Sequence, residues 1–272
     1  MICPCLYLFI ALLMLAALPA LAQPLGLDDT TVGAPGSGAR AELFLPAGAA
    51  PTAAVVVLHG CNGVSPHYRI WAARLAGWGY AALLVDSFRS RGFPDGVCNH
   101  GRDVPAETRA RDAFEATAFL RRRLQHPNLP VGIIGFSHGG WTALKAVLAS
   151  ARRADEPPFA AAVAYYPGCE PPGTPLETDT LILIGDADDW TPSARCERWR
   201  DQVQRNGHVL QMKVYPGARH AFDTPAPPHM FAGHYVGREP AAAEDAIAET
   251  RAFFSARLGG RVKGSHPSRA AP

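Results

Sequence analysis

Charge of one sign is what this chain lacks most. Its 26 Lys and Arg against 24 Asp and Glu leave a formal net charge of +2 over 272 residues. A balance this close to neutral excludes the electrostatic footprint of a nucleic-acid binder and leaves no polybasic patch for a membrane or a strongly acidic partner. Internal repeats and low-complexity tracts are also absent, so the 26 glycines and 25 prolines read as loop punctuation around regular elements. The nearest approach to a metal site is "CNH", Cys98 and His100. It lacks the paired C-x-x-C or H-x-x-x-H spacing of a zinc site, so neither metal nor other cofactor is expected.

Long apolar runs are scarce. The single one opens the chain, in "MICPCLYLFIALLMLAALPALAQ", where an apolar stretch from Leu6 is followed by Pro19 and then Ala20-Leu21-Ala22 before Gln23. The run is short for a membrane span and ends in an A-x-A cleavage pattern, so residues 1–22 are expected to be a signal peptide and the protein to be exported, periplasmic or secreted. No Lys or Arg precedes the run, which keeps an uncleaved anchor as the alternative. Cleavage removes Cys3 and Cys5 and leaves Cys61, Cys98, Cys169 and Cys196. In an oxidising compartment four cysteines predict two disulfides, with three connectivities open.

What is present is an alternation. "ARAELFLP" alternates as a first strand. "AAVVVLHG", "YAALLVDS", "VGIIGF", "FAAAVAYYP", "TLILIGD" and "VLQMKVYPG" are short apolar runs suited to strands buried on both faces. Between them lie stretches of helical spacing: "YRIWAARLAGWG", "VPAETRARDAFEATAFLRRRLQ", "GGWTALKAVLAS", and "PSARCERWRDQVQRNG", which is read as closed by Gly207. A last helix, "PAAAEDAIAETRAFFSARLGG", opens at Pro240. This pattern predicts a mostly parallel sheet with helices on both faces, built as one domain over 23–258, with a disordered polar tail over 259–272.

In such sheets functional groups collect in loops at the carboxyl ends of strands. "VGIIGFSHGG" places Ser137 in one of them, inside Gly-x-Ser-x-Gly, at a turn too sharp for side chains at Gly135 and Gly139. A serine hydroxyl needs a base. Of the ten histidines, His220 in "YPGARHAFD" follows the last strand and is best placed. His138 follows the serine and is expected to point away on the helix, and His59 to order the loop after its strand. "LILIGDADDWTP" offers Asp186, Asp188 and Asp189 as the carboxylate that orients the base. The chain order Ser, Asp, His is that of the α/β-hydrolase fold. Backbone N–H groups of His138 and, in "VVVLHGCNG", of Cys61 are the expected oxyanion donors. Cys61 and Cys98 fall in loops at one sheet edge and are expected to pair, as are Cys169 and Cys196. Trp141, Trp190, Phe88, Arg89 and Arg91 are candidate pocket residues, with "FRSRG" either receiving a substrate carboxylate or lying solvated.

"LHGCNG", "VDSFRSRG", "GFSHGGW", "ILIGDADDWTP" and "YPGARHAFD", in this order, resemble the dienelactone hydrolase family of α/β-hydrolases, from about Arg40 to about Leu258. The resemblance selects Asp188, four residues before Pro192, as the acid and His220 as the base, and it implies hydrolysis of a small-molecule ester or lactone. Two features depart from it. Ser137 stands where the name-giving enzymes use cysteine, and "LHGCNG" lacks the Glu that helps activate that thiol. A polymer- or lipid-directed carboxylesterase, or a small peptidase, is the alternative on the same fold. An exported binding protein is the alternative of a different class.

Overall fold

The computed structural model describes residues 30–32, 39–48 and 50–259. The leader expected over 1–22 and the tail beyond Gly259 lie outside the described residues. Eight strands form one sheet, in the order β1 (Thr30–Val32), β2 (Ala39–Phe44), β4 (Ala81–Asp86), β3 (Ala54–Leu58), β5 (Val131–Phe136), β6 (Ala161–Tyr165), β7 (Thr180–Gly185), β8 (Leu210–Tyr215). β2 runs antiparallel to both its neighbours, β1 and β4, and all the other pairs are parallel. Every residue of β3, β5, β6 and β7 is buried. That explains why these strands read as continuous Val, Ile, Leu and Ala rather than alternating, since layers cover both faces of a parallel sheet.

Among the described residues five α-helices supply the layers: α1 (Pro66–Gly77), α2 (Ala106–Arg123), α3 (His138–Ala146), α4 (Ser193–Gln202) and α5 (Pro240–Leu258). Right-handed crossovers put α1 on one face and α2, α3 and α4 on the other, because the chain reverses direction at β3. α5 returns to the face of α1. There the Tyr165 ring meets Trp71 of α1, and its hydroxyl donates to the Ala246 carbonyl of α5 at 2.9 Å. β4 and β5 flank β3, with Leu58 opposite Gly135, so the reversal opens a crevice beyond the carboxyl ends of β3 and β5.

Two expectations need correction. The fourth helix ends at Gln202 rather than reaching Gly207. Val203 is extended and the Gln204 carbonyl accepts from the Leu176 N–H at 2.8 Å, so a crossing loop takes the backbone bond that another helical turn would need. Read as plain lead-in and loop, two segments are in fact strands: β1, and a hairpin of β9 (His229–Phe231) and β10 (His234–Val236). The hairpin turns on Ala232 and Gly233, both at positive φ, a primed turn made without the usual Asn-Gly signal.

Candidate active site

One residue separates β5 from α3, and it is Ser137, at φ 53° and ψ −113°. Positive φ in a non-glycine residue costs on the order of 1–3 kcal/mol and persists only where the surroundings impose it. Here the Ser137 N–H donates to the Tyr165 carbonyl at 2.9 Å, and its own carbonyl accepts from Trp141 N–H at 2.8 Å. A Cβ at Gly135 would overlap the Gly139 carbonyl, and one at Gly139 the carbonyls of Leu58 and His59. Those two glycines let the turn close and set the hydroxyl above the sheet.

His220 leaves β8 through Gly217 and is held from the other side by β10, pairing with Val236 and accepting the Gly237 N–H at 3.0 Å. Its Nε2 lies 2.8 Å from Ser137 Oγ and its Nδ1 2.8 Å from Asp188 Oδ2. Asp188 is fixed in turn by three donors: the N–H groups of Trp190 and Thr191 on Oδ1, at 2.9 and 2.8 Å, and the Thr191 hydroxyl on Oδ2, at 2.8 Å. Both His220 and Asp188 are buried, and the imidazole is flanked by the rings of Trp190 and Tyr166. The other two aspartates turn elsewhere. Asp186 accepts from Gly217 N–H at 2.7 Å, and exposed Asp189 lies 3.4 Å from His234.

With this arrangement in place the comparison with known proteins is decisive. Residues 39–258 match the model of the dienelactone hydrolase family. The chain belongs to the dienelactone hydrolase family. That makes it a hydrolase acting on ester or lactone bonds. It is 25% identical over 218 residues to a Bradyrhizobium sp protein named "Probable 2-oxo-3-(5-oxofuran-2-ylidene)propanoate lactonase", covering 74% of this chain and 85% of the relative. The fold is shared with the dienelactone hydrolase of Anabaena variabilis ATCC 29413, at a TM-score of 0.63 and 22% identity over 88% of this chain and 99% of the other. It is also shared with an esterase of Thermogutta terrifontis, at a TM-score of 0.60 and 16% identity over 84% and 91% of the two chains.

Within this dienelactone hydrolase fold, Cys61 and His138 flank the serine. The His138 N–H opens α3 and so has no intrahelical acceptor. Cys61 lies just past β3 beside Gly60, and both line a cavity of about 250 Å³ with Ser137 and His220. A smaller recess of about 140 Å³ opens on the other side of Ser137, against Cys98, His138 and Trp141. Trp190 lines both. The disulfides join Cys61 to Cys98 and Cys169 to Cys196, as expected from their loops. Of the other candidate pocket residues, Phe88 is buried edge-on beneath His59, Arg91 is held by Asp112 at 2.8 Å, and Arg89 is exposed beside Asp86. None of the three lines either recess, so of the two readings left open for "FRSRG" the substrate contact finds no support.

Two groups at the site escaped the sequence reading. Arg109 is fully buried in α2. Its Nη1 donates to His138 Nδ1 and its Nη2 to the His59 carbonyl, each at 2.8 Å, and its guanidinium covers the Phe88 ring. Burial brings its pKa down to about 10, with nearby Asp112 opposing. Burial, and then the Arg109 charge, push His138 down to about 4, and the same two causes hold His59 well below its ordinary value. Neither ring is a base for Ser137. His138 Nε2 bonds the Gly101 carbonyl at 2.8 Å, and His59 Nδ1 bonds that of Gly60 at 2.7 Å. The signal for Arg109 lay in its spacing, since it falls on the apolar stripe of Ala106, Ala110 and Ala113.

The second missed group is Asp223. Its carboxylate is buried and accepts from Trp71 Nε1 and the Tyr166 hydroxyl, each at 2.7 Å, with His67 Nε2 at 3.3 Å. Burial opposes its ionisation, but His67 and these hydrogen bonds outweigh it and hold the pKa below the usual carboxylate value. It was the last residue of "YPGARHAFD", quoted for its histidine alone.

Proposed function

We propose that the protein is an exported serine hydrolase of carboxylic esters or lactones, a one-domain enzyme over 23–258 in which Ser137 is the nucleophile, His220 the base and Asp188 its orienting acid. The observation that carries this reading is the imidazole of His220 held 2.8 Å from both the Ser137 hydroxyl and the Asp188 carboxylate, over a serine kept at positive φ. Asp188, an acceptor only, fixes the proton of His220 on Nδ1 and leaves Nε2 free to take one.

Ser137 Oγ attacks the carbonyl carbon while His220 Nε2 takes the hydroxyl proton. The oxyanion is received by the N–H groups of Cys61 and His138; losing one such donor typically costs about 100- to 1000-fold in turnover. The intermediate collapses as His220 returns the proton to the departing alkoxide, or to the ring oxygen of a lactone. Water, deprotonated by His220, then attacks the acyl-serine and frees the acid. Export is supported by the two disulfides and by the apolar leader, and no helix among the described residues is long and apolar enough to cross a membrane.

The test is hydrolysis of a p-nitrophenyl ester series and a simple enol lactone by the protein and by Ser137→Ala. The expected loss in the variant is on the order of 10⁵-fold or more. Equal activity in both proteins removes Ser137 from the chemistry.

A further inference from the structure

Among the described residues, no Arg, Lys, Asp or Glu lines the larger recess beside Ser137, and none lines the smaller one. The wall carries the rings of Tyr68, Tyr166, Trp190 and Phe231, and His67 is among the polar side chains beside them. Two buried carboxylates stand behind that wall, Asp188 against His220 and Asp223 against His67.

Resting on the proposed serine-hydrolase reading, we infer that the site selects uncharged aromatic esters or lactones bearing a hydroxyl, which donates its hydrogen bond to His67. The argument begins at Asp223. Its carboxylate accepts from Trp71 and Tyr166 and stands 3.3 Å from His67 Nε2, close although not aligned as a full hydrogen bond. A buried acceptor there fixes the imidazole proton on Nε2. His67 lines the cavity; its Nε2 is buried, whereas Nδ1 is not buried and has no protein partner among the described residues. Nδ1 is therefore a lone-pair acceptor offered to the ligand. The Tyr68 hydroxyl does not compete, because it donates to Asn62 Oδ1 at 3.0 Å.

A substrate carboxylate meets the opposite conditions. It would lose water to a wall on which no described residue is a cation and approach the charge of Asp223, and an uncompensated buried charge is among the costliest groups to desolvate. Here the chain departs from what the name of its Bradyrhizobium relative, a propanoate lactonase, would suggest. The basic loop segment that would supply a cation is engaged away from the cavity. The rings of the wall suit a flat acyl or alcohol group, and a polar acceptor at depth discriminates sharply against ligands that leave it unpaired.

The test compares kcat/KM for phenyl acetate, 3-hydroxyphenyl acetate and 3-carboxyphenyl acetate, and for methyl benzoate with its 3-hydroxy and 3-carboxy forms, each divided by its hydroxide-catalysed rate. The two series present the ring from either side of the scissile bond. The expected order in at least one series is 3-hydroxy above unsubstituted by about tenfold, with 3-carboxy lowest. In His67→Phe, which keeps a ring against Tyr68 and Phe136, and in His67→Leu, the hydroxy-to-unsubstituted ratio falls to about one; the ratio is the readout, whatever the absolute rate. A preference for 3-carboxy overturns the inference, as does a hydroxy preference that survives both variants. So does failure to turn over any of the six, since the parent esters already meet the requirement of an uncharged ring. Labelling of Ser137 by a fluorophosphonate in that last case leaves the hydrolase reading standing, whereas turnover that persists in Ser137→Ala removes that reading instead.

Discussion

Arg109 and His138 are joined by a 2.8 Å hydrogen bond from guanidinium to ring nitrogen, the guanidinium fully buried and the imidazole at the wall of the smaller recess. The same guanidinium bonds the His59 carbonyl, two residues before Cys61. One buried cation thus spans the two loops that carry the proposed oxyanion donors. Hydrogen bonds from a charged group contribute about 1.5–3 kcal/mol each, and their geometry fixes where the N–H groups point.

Replacing Arg109 should therefore act on turnover more than on affinity. Arg109→Met is expected to lower kcat by about 10- to 100-fold with KM changed far less, because misplaced oxyanion donors weaken the transition state chiefly. Arg109→Lys should not rescue it, since a single ammonium cannot present two donors in a fixed fork. Steady-state kinetics of both variants on one ester decide this. A kcat within twofold of the parent would show that the loops hold their position without the guanidinium.

The histidines beneath that cation make stability depend on pH. His138 titrates at about 4 in the fold against 6.5 for an unperturbed histidine, and His59 also lies well below 6.5. A folded pKa below the unfolded one means that the folded state binds fewer protons across the interval. Stability is then fully present above about pH 6.5 and is lost as pH falls toward 4. His138 alone accounts for about 3 kcal/mol over that window, of which about 2 kcal/mol is gone by pH 5. Guanidinium melts at pH 7.5 and pH 5.0 should show the midpoint falling, and His138→Gln should flatten the difference. Equal midpoints at the two pH values would contradict the assignment.

The sequence carried the sheet because its parallel strands are buried on both faces and so appear as unbroken apolar runs, as in "VVVL" and "TLILIG". It carried the turn at Ser137 because so sharp a turn needs small residues at two fixed positions, which makes Gly135 and Gly139 visible in one dimension. The hairpin at Ala232–Gly233 stayed hidden, since its three-residue strands are too short to show apolar alternation and its turn uses Ala where Asn is usual. Arg109 was hidden for a different reason. Its partners are a ring and a carbonyl 29 and 50 residues away, and nothing local announces them. His67 and Asp223 are likewise brought together only by the sheet.

The two disulfides should prove unequal in function although similar in stability. Each closes a loop of a few tens of residues, 37 for Cys61–Cys98 and 27 for Cys169–Cys196. Loop-closure entropy gives about 3–4 kcal/mol for either. Only the first is tied to a proposed oxyanion donor, with the Val97 N–H donating to the Cys61 carbonyl at 2.7 Å and reinforcing the clamp. Both double variants, Cys61→Ala/Cys98→Ala and Cys169→Ala/Cys196→Ala, should lose several degrees of Tm, and the first alone should lose kcat by tenfold or more. Equal kcat losses would mean that the Cys61 loop is held by its backbone contacts.

The three aspartates after β7 separate by their partners, and that separation can be read in rates. Asp188 receives three donors and faces His220 Nδ1, whereas Asp186 caps the turn at Gly217 and Asp189 lies exposed near His234. Asp188→Asn keeps the shape but replaces one acceptor oxygen by the donor NH2 of an amide, which favours the wrong imidazole tautomer. The expected loss in kcat is about 10³- to 10⁴-fold, by analogy with triads where that exchange has the same effect. Asp189→Asn should stay within a few-fold of the parent. Asp186→Asn should act, if at all, through Tm, because the bond it weakens shapes the turn that leads into His220. A loss in Asp186→Asn as large as in Asp188→Asn would place the orienting carboxylate at the wrong residue and require His220 to turn toward Gly217.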